Sequence, residues 1–110
     1  MNDDVKKFLK DLNINPNTYL KNVRKNAHLL NIKPSYIFFS DLKPYKLMYY
    51  DGQNKLYFGR VPYHDVIIYR LLGDPKAETH KINYHKRMFK DVDFDDNIIT
   101  PKKLTLLNWI

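Results

Sequence analysis

Apolar residues near the start of the chain fall at Val5, Phe8, Leu9 and Leu12, behind the acidic pair Asp3-Asp4. This i, i+3, i+4, i+7 spacing lines up on one side of a 3.6-residue period, and acidic side chains suit the positive end of a helix. A first helix of about three turns is therefore predicted. Asn13-Ile14-Asn15-Pro16 interrupts it. Asn15 is a good N-cap and Pro16 suits the first helical position, so a second helix starts there. Leu20, Val23, Ala27 and Leu30 form its apolar face, with Tyr19 beside them. Asn31-Ile32-Lys33-Pro34 ends it, because proline disfavours helical geometry at the residue before it.

Tyr36-Ile37-Phe38-Phe39 predicts a short β-type or buried segment, and Ser40-Asp41-Leu42-Lys43-Pro44 a turn. Two β-prone runs, Tyr45 to Tyr50 and Lys55 to Gly59, flank Asp51-Gly52-Gln53-Asn54, which is the pattern of an antiparallel hairpin. Val66-Ile67-Ile68-Tyr69 suits a buried strand or a buried helix by period alone. The flanks favour a helix: Asp65 can cap its start, Arg70-Leu71-Leu72 continue it, and Gly73 fits the position after its end.

Asp74 as N-cap and Pro75 at the first position predict a longer helix, with Glu78 near its positive end. Ala77, Tyr84 and Met88 can face inward there, and His80, Lys81, Lys86, Arg87 and Lys90 occupy the remainder. Asp91 to Asp96 reads as a polar link. Thr100-Pro101 then opens a last helix, Lys102 to Ile110, whose Leu104, Leu107 and Trp109 should dock on the core. No repeat, low-complexity tract or linker divides the chain. The expectation is an α+β fold, one globular domain over residues 1–110, with a central antiparallel hairpin or sheet packed by about four to five helices.

Composition adds an excess of rings: nine Tyr, six Phe and one Trp in 110 residues. A Tyr-rich small core accounts for this, and tyrosine also suits half-buried contact surfaces. Charge adds more. The net charge is +7, distributed as +5 over residues 1–50, +4 over 51–90 and −2 over 91–110. A basic field attracts polyanions by counterion release and steering, although a solvated lysine face needs no partner. Lys21, Arg24, Lys25 and His28 recur at i, i+3, i+4 and i+7, one basic stripe opposite the apolar face of the second helix.

Cysteine is absent, which excludes disulfides, thiolate zinc sites and a Cys nucleophile. The opening MNDDVKKFLKDL has no signal-peptide apolar core, and no apolar run approaches about 18 residues. A soluble protein inside a cell, or packed in a particle made there, is expected. No phosphate-binding glycine loop, dinucleotide fingerprint or nucleophile elbow occurs. His80 and His85 stand five apart, which does not place two imidazoles on one helix face for zinc. The Asp91/Asp93/Asp95/Asp96 cluster lacks the central Gly and final Glu of a calcium loop. No metal, cofactor or enzyme activity is expected; catalysis would require several of His64, Asp65, Asp74 and His80 to meet in one pocket.

What remains is basic groups interleaved with aromatics, the chemistry that contacts phosphates and stacks on bases. The candidates are Lys21, Arg24 and Lys25 on the second helix, Lys55 and Arg60 at the hairpin, and Lys81, Lys86, Arg87 and Lys90 on the later helix. Tyr84 is a candidate stacking ring, and its place in the pattern also suits a core or boundary position.

Phe58-Gly59, Tyr63-His64-Asp65, Asp74 and Tyr84 to Arg87 resemble segments of small basic proteins of nucleocytoplasmic large DNA viruses and their virophages. The closing Thr100-Pro101-Lys102-Lys103-Leu104 to Asn108-Trp109-Ile110 and the Asn15 to Leu20 helix start are similar to that group as well. The likeness spans most of residues 15–110. It departs at Val66, where many relatives carry an aromatic residue. It implies a viral origin and virion association, in the host cytoplasm, a virus factory or the particle, and supplies no activity. The expected function is a non-enzymatic viral accessory protein that binds nucleic acid, DNA rather than RNA, through phosphate contacts. The alternative is a minor virion component or protein–protein interaction module.

Overall fold

The computed structural model describes residues 1–110, which form five α-helices and one three-stranded antiparallel sheet, a small α+β domain. The helix α1 (Asp3–Asp11) is capped by Asn2, whose side chain accepts from the Val5 amide and donates to the carbonyls of Ser40 and Tyr45. That one amide ties the first helix to the sheet. In α2 (Pro16–Lys25), Asn15 accepts from the Asn17 and Thr18 amides, as its sequence predicts.

The second helix is shorter than its apolar pattern. It stops at Lys25, and Ala27–Leu30 continue as a 3₁₀ turn closed by Asn31 at φ 54°. A tertiary bond accompanies the early stop: the Asn26 side chain donates through Nδ2 to the Leu107 carbonyl at 2.9 Å. Ala27 and Leu30 are still buried, so the apolar spacing was right about burial and wrong about helix length.

The strands β1 (Ile37–Phe39), β2 (Tyr45–Tyr50) and β3 (Lys55–Arg60) pair in sequence order. In the hairpin, Leu47 faces Phe58 and Tyr50 faces Lys55. Asp51 fastens the loop: its Oδ1 accepts from the Gln53 and Asn54 amides at 2.9 and 2.7 Å, and its Oδ2 accepts from the Tyr49 hydroxyl. Those amide bonds hold the Asp51 carboxyl down at about 2. Burial, reinforced by the bond to Asp51, pushes the Tyr49 hydroxyl up to about 12. A depressed folded-state pKa contributes stability that is present above the unfolded value, near 4, and is lost as pH falls through about 2. The melting-temperature gap between the wild type and Asp51→Asn should therefore close as pH drops from about 4 to about 2. A gap that stays constant across thermal melts in that window would refute the assignment.

The helix α3 (Val66–Leu71) is capped by Asp65, whose Oδ1 accepts from the Ile68 amide at 2.9 Å, and Gly73 at φ 72° follows its end. The flanking residues thus settled the ambiguous apolar run as a helix. The helix α4 (Ala77–Met88) begins two residues later than Pro75 predicts. Asp74 is not its N-cap: it accepts from the Lys76 amide, a local turn that competes with helix initiation. The closing segment divides into α5 (Pro101–Leu104) and a 3₁₀ turn at Thr105–Asn108 rather than one helix to Ile110.

The main core gathers Val5, Leu9, Tyr19, Val23, Ile37, Leu47, Phe58, Ile68, Leu104 and Leu107 between helices and sheet. A second cluster of Val66, Ala77, Phe89 and Trp109 seats α4 against α3 and the closing turn. No helix is long and apolar enough to cross a membrane.

Candidate functional site

Lys46 and Leu47 are consecutive in β2 and both are buried, which breaks the alternation of a half-buried strand. The reason lies across the hairpin at Gly59, whose φ of 69° only glycine adopts without strain. A Cβ at position 59 would lie 3.0 Å from Asn108 Nδ2 and 3.3 Å from Lys46 Cε. The missing side chain gives both groups their space.

Lys46 and Asp65 are each only 2 % exposed and pair at 3.2 Å. A buried charge persists only when paired and hydrogen-bonded, and this pair is both. Lys46 Nζ also donates to the Tyr63 carbonyl at 2.7 Å, fixing the loop between β3 and α3. Asp65 Oδ2 accepts from the Tyr19 hydroxyl at 2.5 Å and from Asn108 Nδ2 at 3.3 Å. Burial first, then the Asp65 charge, holds the Tyr19 hydroxyl well above its ordinary range, so it stays a proton donor. Four elements meet at one carboxylate.

Above this node lies a cleft of about 570 Å³ between the end of β3, α3, α4 and the closing turn. Its walls are rings in face-to-face pairs. Tyr84 stacks on Trp109 at 3.9 Å and 3°, and His80 stacks on Tyr69 at 4.1 Å and 18°. His64 meets Tyr69 edge-on at 5.4 Å, and Tyr69 meets Trp109 at 6.5 Å, so the rings form one continuous array. Arg60 and Arg87 also line the cleft, and neither guanidinium has a carboxylate within salt-bridge distance. The only acid in the lining is Asp65, already neutralised by Lys46.

Among the residues picked from sequence, the structure thus brings Arg60, Tyr84 and Arg87 together. Tyr84 is half-buried, with the Arg87 guanidinium 5.6 Å from its ring centre. Lys21, Lys25, Lys86 and Lys90 are exposed and unpaired on α2, on α4 and just past its end. Three candidates are occupied otherwise. Arg24 donates twice to the Ile37 carbonyl, at 2.9 and 2.7 Å, and ties α2 to the edge strand. Lys55 pairs with Asp41 at 3.7 Å, and Lys81 with Glu78 at 3.4 Å. The basic stripe of α2 is also cut short, because His28 sits on the 3₁₀ turn and not on the helix.

Of the groups that catalysis would need, His64, Asp65 and His80 line this cleft, and Asp74 reaches it through His80 at 3.6 Å. Both Asp65 oxygens already accept hydrogen bonds from the protein, which leaves this carboxylate committed to structure. No cluster of three or more metal-ligating side chains exists. Lys46, Tyr63, Asn83, Asn108 and Trp109 were missed as site residues. One signal for Lys46 was present: a lysine inside a strand whose hairpin partner segment carries a glycine. No protein-family model, curated protein or solved structure matches this chain.

Proposed function

We propose that this protein binds nucleic acid without catalysis, as a viral accessory protein, with DNA as the expected form. The viral setting rests on the resemblance described above. The binding reading is carried by one observation. Arg60 at the end of β3 and Tyr84 and Arg87 on α4 line one cleft that holds no unneutralised carboxylate. Guanidiniums grip phosphate oxygens in a planar fork, and aromatic walls suit sugars and bases. The exposed Lys21, Lys25, Lys86 and Lys90 add unpaired positive charge outside the cleft.

Fluorescence anisotropy with labelled DNA, across about 50 to 200 mM salt, tests this. Affinity should fall steeply, and Arg60→Ala or Arg87→Ala should each reduce the log–log salt slope by roughly one. No binding at about 50 mM salt would end the reading.

A further inference from the structure

The cleft is concave, and its arginines and rings line that concavity. This determines which form of nucleic acid it can use. We infer that it holds an unpaired nucleotide, so that the ligand is single-stranded nucleic acid, gripped one base at a time, in preference to duplex. The inference rests on the nucleic-acid reading above and deepens it.

The cleft volume of about 570 Å³ falls in the size range of small-ligand sites, roughly 300 to 1,000 Å³. That range suits one base with its sugar, whereas a duplex could only lie across the mouth. A duplex keeps its bases stacked inside and would offer the ring-lined walls nothing but backbone. An unstacked base has two free π-faces, and the binding of single strands is built from such stacking together with cationic contacts to the phosphates.

A ring is available for this role. Tyr63 is 69 % exposed, the most exposed large ring of the chain, and it stands at the cleft only three residues after Arg60. Its main chain is held from both sides: the amide donates to the Arg60 carbonyl, and the carbonyl accepts from the buried Lys46. An exposed tyrosine on a fixed backbone offers a stacking ring whose main chain needs no further ordering on binding. Asn83 adds a reader: it is exposed in the cleft lining, and its side-chain amide makes no hydrogen bond within the protein. A free carboxamide can both donate to and accept from a base edge. The helix α4 itself is poorly suited to lying in a major groove, because Tyr84 and Arg87 are turned into the cleft and acidic Glu78 occupies its first turn.

The test compares a labelled single-stranded DNA 12-mer of mixed sequence with the same strand annealed to its complement, using the full chain at about 50 mM salt. The single strand should bind at least tenfold tighter. Tyr63→Ala should weaken the single strand by roughly 5- to 150-fold, the range for losing one stacked base, and leave duplex affinity unchanged. Tyr63→Trp should restore it. The side chain is exposed and its fixed contacts are main-chain, so these variants keep the fold, and circular dichroism checks this. Equal affinity for the two forms, or equal losses on both in Tyr63→Ala, would overturn the single-strand assignment while the binding reading stands. Failure of both forms to bind would overturn both.

Discussion

Replacing Lys46 by methionine should destabilise the protein by about 3 to 5 kcal/mol, the range for removing one partner of a buried ion pair. Methionine fills much of the volume, so the loss reports charge and hydrogen bonding rather than a cavity. Asp65 would stay buried at the node with no cation beside it, and the Tyr63 carbonyl would lose its donor. A small domain is stable by only about 5 to 15 kcal/mol, so a large share of the folded margin would disappear. The double variant Lys46→Met/Asp65→Asn separates the causes. Asparagine keeps an acceptor for the Ile68 amide and carries no charge, so the double variant should be more stable than Lys46→Met alone. Urea unfolding of the wild type and both variants decides it; a loss below about 1 kcal/mol in Lys46→Met would show that the pair is not buried as described.

Trp109→Ala has the second large expected effect, about 3 to 5 kcal/mol, as for other buried large aromatics cut to alanine. The ring is 9 % exposed, packs with Val66, Ala77 and Phe89, and covers one face of Tyr84. The main-chain carbonyl of Trp109 lies 2.6 Å from His85 Nε2, and this contact survives the substitution, so the measured loss belongs to the ring. Trp109→Phe should lose clearly less, because a stacked ring remains. Similar urea midpoints for Trp109→Ala and the wild type would mean that the second cluster does not hold α4 in place.

These two residues also mark where the sequence was legible. Trp109 reads as a docking residue because its signal is local: an apolar residue near the end of a proline-opened segment. Asn15-Pro16, Asp65 and Gly73 are legible for the same reason, since caps act within three residues of themselves. Lys46 carried only the weak signal of a glycine across the hairpin, and its burial was not legible, because lysine is ordinarily a surface residue and its partner lies 19 positions away. The early end of α2 was hidden similarly, since Asn26 bonds to Leu107, 81 positions on. Arg60 and Arg87 were visible as charges, whereas their shared cleft depends on how α3 and α4 pack. Arg24 looked equally basic, yet an edge-strand carbonyl claims it.

The helix α3 has six residues, too few to persist in water without tertiary support. The carboxylate that caps it is also bound by Tyr19, Lys46 and Asn108, so opening any of those segments strips a partner from the cap. Fraying near Ile68 is therefore coupled to opening of the core. Its amide hydrogen should exchange with deuterated solvent at the rate of the deepest-protected amides, reporting unfolding of the whole molecule from a helix less than two turns long.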